Sequence, residues 1–93
     1  MSKFYAVRCG RTVAEQRLIR AKLDLWKDMP EAERNGVSAM IHEIARGRVE
    51  RAALEAVLLR NMSPRVAAER WRLDRRRVYA MQREFLERVK IWG

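Results

Sequence analysis

The stretch SPRVAAERWRLDRRRVYAMQREFLERV, residues 63–89, holds two helix starts and one turn. Ser63 supplies a hydroxyl N-cap and Pro64 occupies the first helical position, where its missing amide costs nothing. Together they predict a helix over 64–71 whose apolar residues are Ala67, Ala68 and Trp71, with small side chains at 67 and 68 to admit a close helix crossing. Arg72, Leu73 and Asp74 read as a turn, and Asp74 as the N-cap of a second helix over 75–91. In that helix Val78, Met81, Phe85 and Val89, spaced 3, 4 and 4 apart, share one face. At about 100° per residue, the outer side of its first half carries Arg76, Tyr79, Ala80 and Arg83.

Upstream, Ala53, Leu54, Val57 and Leu58 predict a helix over 49–61, ending at Asn61-Met62. Pro30 suits the first turn of a further helix over 31–46, with Glu31 and Glu33 at the positive end of its dipole. Val37, Met40, Ile41 and Ile44 form its apolar stripe, and Gly47 stands where a left-handed C-terminal cap is expected. The pair Asn35-Gly36 weakens this helix, because an internal glycine costs about 1 kcal/mol relative to alanine. Thr12 and Glu15 form a capping box, so another helix starts near Val13. It carries one apolar stripe of Ala14, Leu18, Ala21 and Leu25 and a second of Ile19, Leu23 and Trp26. So broad a face predicts more than one neighbour, including a helix of a second chain. Residues 3–9, rich in aromatic and β-branched types, read as a short strand or extended arm that pairs with its own copy, lies against the helices, or reaches a DNA groove through Lys3, Arg8 and Arg11.

The expected fold is therefore all-α, about five helices in a single domain, with residues 1–47 forming an arm and helical hairpin and residues 48–93 the basic part. Ninety-three residues leave no room for a separate catalytic domain. Net charge is +9; residues 46–93 hold 13 basic against 6 acidic side chains and residues 1–45 hold 8 against 6, so the C-terminal half favours a polyanionic partner. Cys9, the sole cysteine, excludes an intrachain disulfide and a cysteine-based zinc site, and His42 has no second histidine to complete a metal centre. There is no signal-peptide core and no stretch approaching the roughly 20 apolar residues of a membrane span, so the expected location is the cytoplasm. No phosphate loop, nucleophile elbow or Cys-His pair is present. The chain reads as a non-enzyme without metal or cofactor.

With Ala68, Leu73, Val78 and Met81 at the positions of its buried pattern, the 63–89 stretch resembles the helix-turn-helix family. From Arg51 to Val89 it is most similar to the trihelical C-terminal domains of sigma factors and of response-regulator and quorum-sensing transcription factors. That family usually has glycine at the opening of the turn, where this chain has Arg72. The resemblance implies a sequence-specific DNA-binding transcriptional regulator of phage or plasmid type, homodimeric on a two-fold site, with helix 75–91 in the major groove. It would place Arg76 on a base edge, with Arg75 and Arg77 holding the DNA backbone on either side. Ala80 would lie against the groove, Arg83 would reach phosphate or base, and Ser63 and Arg65 would meet phosphate at the head of the first helix. Tyr79 would cover a sugar or thymine methyl, or the edge of Trp71. The competing expectations are an RNA polymerase-binding or antitermination factor, and a small basic inhibitor of an acidic protein surface.

Overall fold

A computed structural model describes residues 6–90. Its helices are α1 (Val13–Asp24), α2 (Glu31–Ile44), α3 (Gly47–Leu59), α4 (Pro64–Trp71) and α5 (Arg75–Arg88), with a 3-10 turn at Trp26–Asp28. The all-α expectation holds, and no strand occurs among the described residues.

Helix starts follow local chemistry. The Thr12 hydroxyl accepts from the Glu15 amide while the Glu15 carboxylate accepts from the Thr12 amide, completing the capping box. Ser63 Oγ accepts from the Val66 amide at 3.2 Å, and Asp74 Oδ1 accepts from the Arg76 amide at 2.8 Å. Pro30 sits one position earlier than expected, as the N-cap of α2, with extended backbone. Helix α5 stops at Arg88, short of the expected 91, because Val89 turns to extended backbone; residues 91–93 lie outside the described part.

Helix α3 packs against each of the other four helices, and α4 and α5 also pack on each other. This central position explains why Ala53, Leu54, Ala56, Val57 and Leu58 are all buried. Around them close Ile19 and Leu23 of α1, Val37, Ile41 and Ile44 of α2, Ala67 and Ala68 of α4, and Val78, Met81, Phe85 and Leu86 of α5, with Val89 just beyond. The inner face predicted for α5 is thus the observed one. In α1 only the second stripe enters the core, joined by Gln16; Ala14, Leu18, Ala21 and Leu25 are exposed.

The arm is not a strand where it is described; residues 3–5 of the expected strand, Lys3 among them, lie outside the described part. Its partner is a side chain. Gln16, 3 % exposed, accepts from the Val7 amide at 2.9 Å and donates to the Val7 and Arg11 carbonyls at 2.8 and 3.1 Å. One carboxamide thereby satisfies both backbone groups of Val7, the service a neighbouring strand would give. Arg11 is likewise committed inside the fold. It donates to the carbonyls of Leu86 (3.0 Å) and Val89 (2.5 Å), closing the negative end of α5, so it does not reach a DNA groove.

Two turns use positive φ without glycine. Asn61 (φ 57°) ends α3 and lets the Met62 amide bond back to the Ala56 carbonyl at 3.1 Å, while its side chain ties to Asp24 at 3.0 Å. Arg72 (φ 53°) opens the α4–α5 turn in the left-handed conformation that glycine usually adopts there, at about 1 kcal/mol or more. Gly47 has φ +87° as expected, but it begins α3, since α2 already closes at Ala45.

Helix α2 runs unbroken through Asn35 and Gly36, and a Cβ at Gly36 would meet no atom within 4 Å. Gly36→Ala is therefore expected to raise stability by up to about 1 kcal/mol, read as a rise in melting temperature of about 4–8 °C. No rise would mean that α2 gains nothing from the lost backbone freedom.

Candidate nucleic-acid interface

Once the inner face of α5 is anchored by Val78, Met81 and Phe85, Arg76, Tyr79 and Arg83 follow one another along the opposite side, at i, i+3 and i+7. All three are exposed, as is Arg75 on the flank, whereas Ala80 is half-buried at the edge of the row. The N-terminus of α4 lies alongside: Ser63, Arg65 and Tyr79 line a common groove of about 890 Å³, which extends past Gln82 and Leu86 to Val7 and Ile19. Tyr79 thus faces this groove.

Charge sets these arginines apart. Arg11, Arg20, Arg77 and Arg88 each pair with a carboxylate. Arg75, Arg76 and Arg83 form no ion pair among the described residues. Arg65 pairs with Glu69 at 3.6 Å, but both side chains are 69 % exposed, and an i,i+4 pair of that kind is worth only about 0.3–0.5 kcal/mol. It exchanges easily for a stronger anion. Of the carboxylates of α5, Glu84 is held by Arg88 at 2.9 Å, and Glu87 lines a separate recess with Gly10 and Arg11.

Arg77 leaves the set of contact residues. Its guanidinium makes a two-pronged contact with Glu50, 2.8 and 3.1 Å, and donates to the Ile44 carbonyl at 3.1 Å. Glu50 in turn accepts from the Arg46 amide at 2.9 Å, capping α3. The hydrogen bonds from Arg77, followed by that from Arg46, hold the Glu50 carboxyl below its ordinary pKa, and the same pairing raises that of Arg77. Three adjacent arginines therefore divide into two that face solvent and one that fastens α5 to α2 and α3. The local sequence signal for this was the angle alone, since 77 lies about 100° away from 76 around the helix.

Ser63 contributes by position, its hydroxyl oxygen being taken by the cap. Two further arginines are exposed at the α4–α5 turn, Arg70, which no sequence signal singled out, and Arg72, which the sequence marked only as a turn residue; Arg70 stacks over Trp71 with its guanidinium carbon 5.5 Å from the ring centroid. Trp71 is half-buried, which leaves that stack at the surface.

Among the described residues no group of acidic, cysteine and histidine side chains could hold a metal, and no helix is long and apolar enough to cross a membrane. No family model matches the chain, nor does any curated protein or solved structure.

Proposed function

We propose that this protein binds duplex DNA in a sequence-specific manner, as a transcriptional regulator, through a helix-turn-helix formed by α4 and α5. The observation that carries this reading is the row Arg76, Tyr79 and Arg83 with Arg75 beside it. It is exposed, rigidly anchored from behind, and free of ion pairs among the described residues. An α-helix bearing such a row fits the major groove, whose guanine edges accept two parallel hydrogen bonds from one guanidinium. Arg76, in the first turn, is assigned to a base edge. Arg75, Arg83 and Arg65 are assigned to phosphates, where they set orientation without reading sequence. Tyr79 presents a flat, partly apolar surface between them for a deoxyribose or thymine methyl.

The test is selection of bound duplexes from a random pool, sequenced for wild type and Arg76→Ala at two salt concentrations. The expected result is an enriched motif, with Arg76→Ala relaxing one position of it at a cost of about 1–3 kcal/mol, a 5- to 150-fold loss. If affinity follows only salt and no motif emerges, the arginines supply bulk electrostatics and sequence-specific readout is wrong.

A further inference from the structure

Helix α1 shows two apolar stripes, and the fold uses one. Ile19 and Leu23 are 0 and 1 % exposed, while Leu18 and the C-cap residue Leu25 stay 43 and 58 % exposed, with Ala14 and Ala21 exposed in the same stripe. The outer four are spaced 4, 3 and 4 apart, the alternation of a two-helix seam. They lie nearly opposite the core face, turned away from the buried side chains of the described helices.

We propose that this outer face of α1 pairs with the same face of a second copy, with the two helices antiparallel. Charge decides the orientation. With the seam at Ala14, Leu18, Ala21 and Leu25, the flanking residues are Glu15 and Lys22 on one side and Arg17 and Asp24 on the other. In an antiparallel pair about a two-fold axis, Leu18 meets the partner's Ala21 and Ala14 meets the partner's Leu25. Large then sits on small in every layer. Each flank faces its own copy reversed, so Glu15 lies near the partner's Lys22 and Arg17 near the partner's Asp24, charges that attract while Glu15 and Asp24 keep their contacts to Arg11 and Arg20. A parallel pair would set Arg17 against the partner's Lys22, twice, which repels.

Helix α1 has 12 residues, about 18 Å of length. A seam that short buries less than the roughly 800 Å² per partner of a standard stable interface. Self-association is therefore weak and concentration-dependent in free solution, and two copies held on adjacent sites would gain from their high effective concentration. The pairing itself does not depend on the DNA-binding reading.

The experiment uses the full chain without DNA, in a Cys9→Ser background. Leu18→Cys and Ala21→Cys proteins are oxidised separately and as a mixture, beside a control pair, Ser38→Cys and Arg48→Cys, at two exposed positions away from α1. Antiparallel pairing predicts that the mixture forms a mixed disulfide several-fold in excess of either single protein alone, and that adding Lys22→Glu to both lowers its yield several-fold. Self-crosslinking of Leu18→Cys alone in excess of the mixed disulfide would favour a parallel pair and overturn the orientation. A mixed yield no greater than that of the control pair would overturn the interface. Circular dichroism of each variant separates either outcome from loss of the fold.

Discussion

Arg77→Ala is expected to lower the free energy of unfolding by about 2–3 kcal/mol, a fall in melting temperature of about 10–20 °C, although Arg77 sits in a run of three arginines on a strongly basic helix. Its side chain and that of Glu50 are 29 and 18 % exposed, so the pair is partly shielded from water and removing one partner leaves the other without its ion pair. The Ile44 carbonyl loses a donor as well. The full penalty of about 3–5 kcal/mol for breaking a fully buried pair is reduced here because some water reaches both groups. Arg76→Ala, one residue away, should change stability by less than about 0.5 kcal/mol. Urea titrations of the two variants make the comparison; equal effects would show that the Arg77 contact contributes nothing to the fold.

The same pair sets an acid limit. Because the folded-state pKa of Glu50 is below its ordinary value of 4.5, the carboxylate's contribution is complete above that value and is lost as pH falls through 4.5 toward the lowered folded pKa. Wild type should lose stability more steeply than Arg77→Ala between about pH 5 and 3, and the two should run parallel above that range.

Arg20→Ala is expected to cost about 2–4 kcal/mol, because Arg20 closes the C-terminal end of the central helix. Its guanidinium donates to the Val57 carbonyl at 3.3 Å and to that of Leu58, and Nε pairs with Asp24 at 3.1 Å. Asp24 is also held by Asn61, the residue in left-handed conformation that ends α3. Burial depresses the pKa of Arg20, while Asp24 opposes the shift; the charge is kept in place by its partners. Without it, the last carbonyls of α3 lose their donors and α1 is left on Ile19 and Leu23. Arg20→Lys, which can reach one carbonyl but not both, should fall between alanine and wild type. A loss below about 0.5 kcal/mol for Arg20→Ala in denaturant melts would show that solvent serves those carbonyls equally well.

What was legible in the sequence is what short-range chemistry writes. The caps at Thr12, Ser63 and Asp74 are contacts over two or three residues, made as soon as the helix forms, so the starts of α1, α4 and α5 could be placed from residue types alone. The inner face of α5 was equally plain, since Val78, Met81 and Phe85 allow a single apolar side, and its outer row of Arg76, Tyr79 and Arg83 follows by geometry. Tertiary structure alone decided which arginines that geometry leaves free. Arg11, Arg20 and Arg77 find their acceptors up to 78, 38 and 33 residues away, and Gln16 replaces a strand by holding a backbone nine residues before it. It also chose which of two equivalent stripes of α1 turns inward. Local sequence treats every guanidinium and every leucine alike; only the arrangement of helices brings a bare carbonyl end or an apolar wall to one of them and leaves its neighbour in water.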